Sequence, residues 1–404
     1  MIDRHGSIAR DPRWLREHAR TLLSFYFHRS IDHTHGGYVA QISDVDGTVY
    51  DSRAKLLPAT CRFVFNFSVG TMLSGPDWCE SAAVHGMDHL ERHHLDREHG
   101  GYAWVLDGSD VEDGAKRCYG HAFALLAYST AARAGIEGAA ERIEPAFDLI
   151  DEHFWEDEHG LCRVELERDW SETSGYRGQN ANMHTCEALL SAYEATGDDR
   201  YLDRAYSIAE TLARDLTDRG DGLLWEHYDG DWEHDWEYNR DKPGDLFRPW
   251  GYQPGHLLEW AKLLLLLDEH RDEDWLAERA DRFFDAAVES GWDDERGGFV
   301  YNFDRDGEPI VENKYYWPLC EGIGATALLY DRFGEGRYAE WYDRIWEYAL
   351  DEVVNEKYGN WYFQLTPDNE VARDAIDDSP EVKVGYHQLN AIFETLRASG
   401  YVEA

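Results

Sequence analysis

Proton-transfer groups recur where apolar helices begin. "YRGQNANMH" (Tyr176–His184) sets two asparagines, a glutamine, an arginine and a histidine before the apolar run "TCEALLSAYEA". "FRPWGYQPGHLLEW" (Phe247–Trp260) holds Arg248, then His256 and Glu259 three residues apart on one helix face, behind Pro254. "KVGYHQLNA" starts the last helical pattern with His387. Arg62 in "LLPATCRFVF", Tyr119 and His121 in "KRCYGHAFALL", and Trp317 and Glu321 in "YYWPLCEG" occupy the same early positions in three further helices. Histidine titrates near neutrality without tuning, so His256 and His387 can take up and return a proton at physiological pH. A fixed cation such as Arg62 can stabilise an oxygen that becomes negative during such a transfer, by a few kcal/mol. Singly, each residue also reads as ordinary structure: a capped or core histidine, an arginine pairing a buried acid, a tryptophan filling a core. Their sum argues otherwise. Six different helices put a polar or aromatic group at the same end.

The elements that must bring these residues together repeat. A glycine turn followed by a short alternating run occurs six times, with glycines at 36, 100, 160, 222, 297 and 359, spaced by 64, 60, 62, 75 and 62 residues. Each run is long enough for a short strand of a hairpin-like excursion. Between them lie helical patterns beginning near Pro12, Pro58, Pro76, Lys116, Ala140, Asn182, Arg200, Pro254, Asp274, Trp317, Arg337 and Tyr386. Twelve helices in six helix–turn–helix units predict an all-α fold, an (α/α)6 barrel spanning residues 1–404 as a single domain; an open α-solenoid is the competing architecture. In a closed toroid the N-terminal ends of the inner helices gather at one mouth, where helix dipoles and polar side chains share a cavity.

The composition narrows the partners. With 81 acidic against 39 basic residues the formal charge is −42, which repels nucleic acid and anionic membranes. The acids are spread along the chain and lysines number only seven, a pattern that suits a salt-rich cytoplasm and predicts a halophilic source. Six cysteines without a CxxC pair read as reduced cytoplasmic thiols, and the first residues show no apolar leader. No apolar run is long enough to span a bilayer. Aromatic residues at 14% can line a cavity against which sugar rings stack, or can simply fill a large helical core. His85, His89 and His93 share a helix face at metal-binding spacing, but on an outer helix, where a packing role is expected. There is no HExxH motif, P-loop or dinucleotide fingerprint.

At "YRGQNANMH", "PGHLLEW", "WPLCEG" and the final "YH" the chain resembles the N-acylglucosamine 2-epimerase superfamily, in particular its aldose–ketose isomerase branch. The resemblance runs from Trp14 to the last helix and implies an (α/α)6 barrel. It implies a metal-free and cofactor-free sugar 1,2-isomerase or 2-epimerase acting on a monosaccharide through an enediolate. It casts His387 as the base next to the carbonyl and His256 as the group for ring opening and proton transfer, oriented by Glu259. Arg62 would hold the enediolate oxygen. His184, Asn180, Arg248 and Tyr119 match substrate-contacting positions, and Trp317 matches a wall residue. Pro58 and Tyr362 depart from the aromatic and tryptophan common at those positions, which leaves the sugar open. Mannose, an N-acylated amino sugar and a sulfonated sugar all fit the same core, and for an anionic sugar Arg177 and Arg248 are candidate cations. Two readings from other classes stand beside this one. A glycoside hydrolase on the same toroid would draft Glu226, Glu259 and Glu321. A non-catalytic carbohydrate-binding toroid would need the aromatics without the histidine pair. Nothing in the sequence sets an oligomeric state.

Overall fold

The computed structural model describes residues 6–172, 174–372 and 384–402. Twelve long helices carry the fold: α1 Pro12–Ser30, α2 Leu57–Met72, α3 Trp78–His89, α4 Cys118–Arg133, α5 Ile143–His153, α6 Gln179–Thr196, α7 Asp199–Ala209, α8 Pro254–Asp268, α9 Asp274–Gly291, α10 Tyr316–Phe333, α11 Gly336–Tyr348 and α12 Tyr386–Ala398. The proline signals hold. α1, α2 and α8 each have Pro in the first turn, where its missing N–H costs nothing. α6 starts at Gln179, three residues before the expected Asn182, which draws the whole "QNANMH" stretch into the helix. Lys116 and Arg117, expected to open a helix, form a strand pair just before α4.

The even-numbered helices form an inner ring. α2, α4, α6, α8, α10 and α12 contact their neighbours in that order, and α12 returns to α2, so the ring closes and the open solenoid is ruled out. Inner helices are buried nearly all round; in α8 every residue from Pro254 to Leu267 is buried. Outer helices are amphipathic and bury one stripe, as Tyr201, Leu202, Ala205, Ile208 and Ala209 do on α7. Five outer helices (α3, α5, α7, α9 and α11) fold back on the inner helix just before them, while α1 packs on α12. The sixth hairpin is therefore assembled from the two ends of the described chain. No helix among the described residues is long and apolar enough to cross a membrane.

Inner-to-outer turns are short, and left-handed Gly197 and Gly334 cap α6 and α10 at such turns. Outer-to-inner connections are long and hold the strands, so all six excursions lie at the mouth where the inner helices begin. The six repeated glycines sit at φ between +67° and +88°, a backbone region closed to most side chains, which is why the pattern recurs in the sequence. Each strand before an inner helix then pairs with the next excursion: Leu56 with Val105, Lys116 with Leu166, Arg177 with Tyr228, Tyr252 with Phe303 and Lys314 with Leu365. The last excursion meets the first through Asp44, whose carbonyl accepts from Asn360 Nδ2 at 2.7 Å and whose carboxylate accepts from Phe363 N at 2.5 Å.

Buried ion pairs staple these excursions. Lys55 pairs with Asp32 at 2.6 Å, Lys116 with Asp96 at 3.1 Å, Arg177 with Glu156 at 2.6 Å and Lys314 with Asp293 at 2.9 Å. In each, the acid follows an outer helix and the base stands just before an inner one. The histidine-rich face of α3 is absorbed by the first glycine turn. His85 Nε2 lies 2.8 Å from the Gly37 carbonyl, and a Cβ on Gly37 would stand 2.5 Å from the His89 ring. That is the packing role its position suggests. All six cysteines are free and buried.

Removing Lys55 leaves the Asp32 carboxylate without its buried partner. Lys55→Ala should lower unfolding stability by about 3–5 kcal/mol. The exposed control Lys357→Ala should change it by less than about 0.5 kcal/mol. Chemical denaturation of both variants checks this, and similar small losses would show that the staple contributes little.

Candidate active site

The inner-helix N-termini and the excursions enclose a cavity of about 740 Å3. Its lining includes Arg62, Tyr119, Asn180, His184, Arg248, His256, Glu259, Trp317 and His387. All nine candidate site residues thus meet, from six inner helices and one excursion. His121 does not join them. Its Nδ1 lies 2.9 Å from the Arg117 carbonyl and its Nε2 accepts from Tyr102 N at 3.1 Å. Arg177, held by Glu156, does not line the cavity either.

Two histidine–carboxylate pairs stand beside Trp317, whose ring centre is 5.1 Å from that of His256 and 5.9 Å from that of His387. His256 Nδ1 is 2.9 Å from Glu226 Oε1. Gln179 donates from Nε2 to Glu226 Oε2 at 3.0 Å and accepts from Trp260 Nε1 at 2.8 Å. Glu226 is buried, yet His256 and Gln179 outweigh the burial and hold it below the usual carboxylate range. Glu226 and the Gln179 amide, 3.0 Å away, both engage Nδ1 of His256, which leaves Nε2 available to the cavity. His387 Nδ1 lies 2.7 Å from Glu321 Oε1, and Glu321 Oε2 accepts from Lys262 Nζ at 2.6 Å. Burial pushes His387 down to about 4 against the opposing pull of Glu321, so its imidazole is neutral at pH 7. In "PGH" the glycine is a packing requirement, since a Cβ on Gly255 would fall 2.1 Å from the Trp317 ring.

Arg62 is buried and stacks its guanidinium 4.4 Å from the Phe123 ring and 4.8 Å from the Tyr386 ring. It donates to Tyr119 Oη at 2.7 Å, and its Nε has no hydrogen-bond partner. A buried guanidinium with unused donor capacity is equipped to receive an oxyanion. His184 Nδ1 is 3.1 Å from Glu187 Oε2, which also accepts from Tyr386 Oη at 2.5 Å; Glu187 Oε1 accepts from Asn390 at 3.0 Å.

Glu259 behaves differently from what the resemblance implied. The carboxylate bonded to His256 is Glu226, whereas Glu259 Oε1 lies 3.7 Å from His184 Nδ1 and has no hydrogen-bond partner. Burial and the neighbouring Glu321 drive its pKa well above the usual carboxylate range, which favours its protonated form. Position on a helix face could not distinguish two acids that reach one histidine from different elements. Glu226 comes from the fourth excursion and carries no periodic signal. Glu187 lies one turn beyond His184, and Lys262 interrupts a leucine run one turn beyond Glu259; a lysine among leucines was the legible sign that its charge is used.

Two triads, His184/Glu187/Glu259 and Glu259/Glu321/His387, bring their ligand atoms within 4.8 Å of one another. Lys262, Tyr386 and Asn390 already donate to Glu321 and Glu187. That donor set suits shared protons better than a divalent ion.

An all-α toroid with two cavity-facing histidine–carboxylate pairs and a buried arginine defines an enzyme that moves protons on a small polar substrate. The sequence profile of the N-acylglucosamine 2-epimerase (GlcNAc 2-epimerase) family matches residues 36–391. The chain is similar to the D-mannose isomerase of Marinomonas mediterranea, 40% identical over 385 residues, covering 95% of this chain and 96% of that one. It is similar to the D-mannose isomerase of Thermobifida fusca, 36% identical over 358 residues, covering 88% of this chain and 87% of that one. A crystal structure of D-mannose isomerase superposes with a TM-score of 0.91 at 40% identity, covering 95% of this chain and 97% of that one. The chain belongs to the N-acylglucosamine 2-epimerase family, and it is a sugar isomerase or epimerase.

A raised Glu259 pKa has a sign that denaturation can read. Folding takes up a proton between the unfolded and folded pKa, so stability falls as pH rises from about 4.5 through that window. Glu259→Gln removes this slope. Relative to the parent, the variant should be more stable at pH 8 than at pH 5 by at least about 1 kcal/mol. Equal differences at both pH values would show an ordinary, ionised Glu259.

Proposed function

We propose that the chain isomerises a mannose-type aldose to its ketose through an enediolate, with the whole chain acting as one domain. The observation that carries this reading is the pair of histidines, each tied through Nδ1 to a carboxylate, lining one cavity beside Trp317. The similarity to proteins named D-mannose isomerase supports the sugar.

In this mechanism His256 opens the ring by taking the proton of the anomeric hydroxyl and delivering it to the ring oxygen as the C1–O5 bond breaks, giving the open-chain aldose and returning His256 to its neutral form. Neutral His387 then removes the hydrogen from C2. The electron pair moves into the C1–C2 bond, and negative charge develops on the carbonyl oxygen beside Arg62. Glu321, 2.7 Å away, stabilises the imidazolium so formed, while Lys262 keeps Glu321 ionised. Return of the proton to C1, with transfer of the O2 hydrogen to O1, yields the ketose. His184, Tyr119, Asn180 and Arg248 line the space for the remaining hydroxyls.

The same parts give 2-epimerisation if C2 is reprotonated from its other face, a role for which His256 is the candidate. The hydrolase reading is weaker. Glu226 and Glu321 are each engaged by a histidine, so neither stands free opposite a protonated acid.

Incubation with mannose, glucose, fructose or N-acetylglucosamine in deuterated water, followed by NMR, tests this. Mannose and fructose should interconvert with deuterium entering C1 or C2, and His387→Ala should reduce the rate by about 10²–10⁴-fold. A 2-epimer in place of a ketose would select the epimerase. Undiminished turnover in His387→Ala would overturn the assignment of the base.

The acidic surface supports a salt-rich cytoplasmic setting. Four of the seven lysines, Lys55, Lys116, Lys262 and Lys314, are buried in ion pairs, which leaves almost no lysine for the surface. With a formal charge of −42, lowering salt from molar to about 0.1 M lengthens screening from about 3 Å to about 10 Å and restores self-repulsion. The melting temperature should fall as salt is lowered over that range. A constant melting temperature would remove the salt-adapted reading.

A further inference from the structure

The rim of the cavity carries a charge arrangement in which two members, Arg117 and Glu165, have no part in the isomerase chemistry above. Arg117 and Glu165 face each other across the strand pair that joins the second and third excursions. Arg248 reaches in from the fourth. All three line the cavity. Both guanidiniums converge on one oxygen: Glu165 Oε2 is 3.2 Å from Arg248 NH2 and 3.9 Å from Arg117 NH1. Aromatic stacking fixes each arginine from behind, Arg248 at 4.2 Å over Tyr176 and Arg117 at 4.7 Å over Trp104. Arg248 also donates to Tyr238 Oη at 3.2 Å. Arg117 is the less satisfied of the two. Its ion pairs to Glu165 and Asp113 are both 3.9 Å long, beyond hydrogen-bond reach, and its Nε has no hydrogen-bond partner.

Two stacked guanidiniums aimed at one point are the usual clamp for a phosphate or carboxylate. Here the chain's own carboxylate fills that place. Resting on the sugar-isomerase reading above, the geometry points to Glu165 as a specificity determinant: it occupies an anion clamp formed by Arg117 and Arg248, and so confines the enzyme to sugars uncharged at the end remote from the reacting carbons. With Glu165 ionised and Asp113 beside Arg117, the rim is close to neutral, and a phosphorylated sugar gains nothing there while entering against the field of a strongly acidic protein. With residue 165 neutral, two arginines become available to a dianion. The specificity arises as much from the blocked site as from contacts to the preferred substrate.

The test compares kcat/KM for mannose and mannose 6-phosphate in the parent, Glu165→Gln and Glu165→Gln/Arg117→Gln, at one fixed salt concentration. The ratio of 6-phosphate to mannose should rise at least about tenfold in Glu165→Gln and fall back in the double variant, because the gain needs Arg117. A purely structural role for Glu165 would move both sugars together, and a ratio within twofold of the parent overturns the inference. Calorimetric binding of mannose 6-phosphate to the same proteins reads the clamp independently of turnover. If the parent converts neither sugar, the isomerase reading fails, while tighter binding by Glu165→Gln still supports the clamp and unchanged binding rejects it. Glu165→Ser, run in parallel and checked by circular dichroism, serves if the glutamine variant does not fold.

Discussion

Three carboxylates crowd around the buried ammonium of Lys262, one helical turn beyond cavity-lining Glu259, and the site depends on how they share it. Glu321 lies 2.6 Å from the Lys262 nitrogen and Glu187 4.0 Å. Glu259, on the same helix as the lysine, is left without a hydrogen bond for Oε1, and burial with Glu321 pushes its pKa well up. In a medium of low effective dielectric, three ionised acids cannot be held by one lysine and a nearby arginine. The division that results gives each histidine an ionised partner, since Glu321 serves His387 and Glu187 serves His184. His256 draws its carboxylate from an excursion instead.

That arrangement requires six helices to start at one mouth, and the topology supplies this by asymmetry in its connections. Short turns join inner to outer helices at the far end, while long excursions return to the mouth. Each excursion pairs with the next, so the layer that carries Glu226, Glu165 and Arg248 is itself a ring, stapled by buried acid–base pairs. Such pairs contribute little net stability compared with an apolar core, but breaking one is costly, and they fix where an irregular segment lies. A site built from loops gains precision when the loops are held this way.

Most of the architecture was legible in the amino-acid order. Glycines at a near-constant interval marked the six excursions because each adopts a left-handed conformation that other residues resist. Proline at the start of α1, α2 and α8 marked helix N-termini, and runs such as "LLEWAKLLLLL" marked helices buried on every side. The pairing of α1 with α12 was not legible, because ring closure joins segments at opposite ends of the chain and leaves no local pattern. Eight of the nine candidate residues share a position in early helical turns, Arg248 came only from the family resemblance, and the cavity gathers all nine.

The sequence by itself determined the number of repeats, the class of fold and the set of side chains able to move a proton, because these follow from local conformational preference, hydrophobic period and side-chain chemistry. Only the tertiary structure decided which acid serves which histidine. Glu226 rather than Glu259 meets His256, and the Glu259 pKa is driven upward, because both outcomes depend on distances between residues from different elements and on burial that the ring creates only once it is closed. Hydrogen bonding and desolvation act over a few ångströms, and chain order carries no record of that scale.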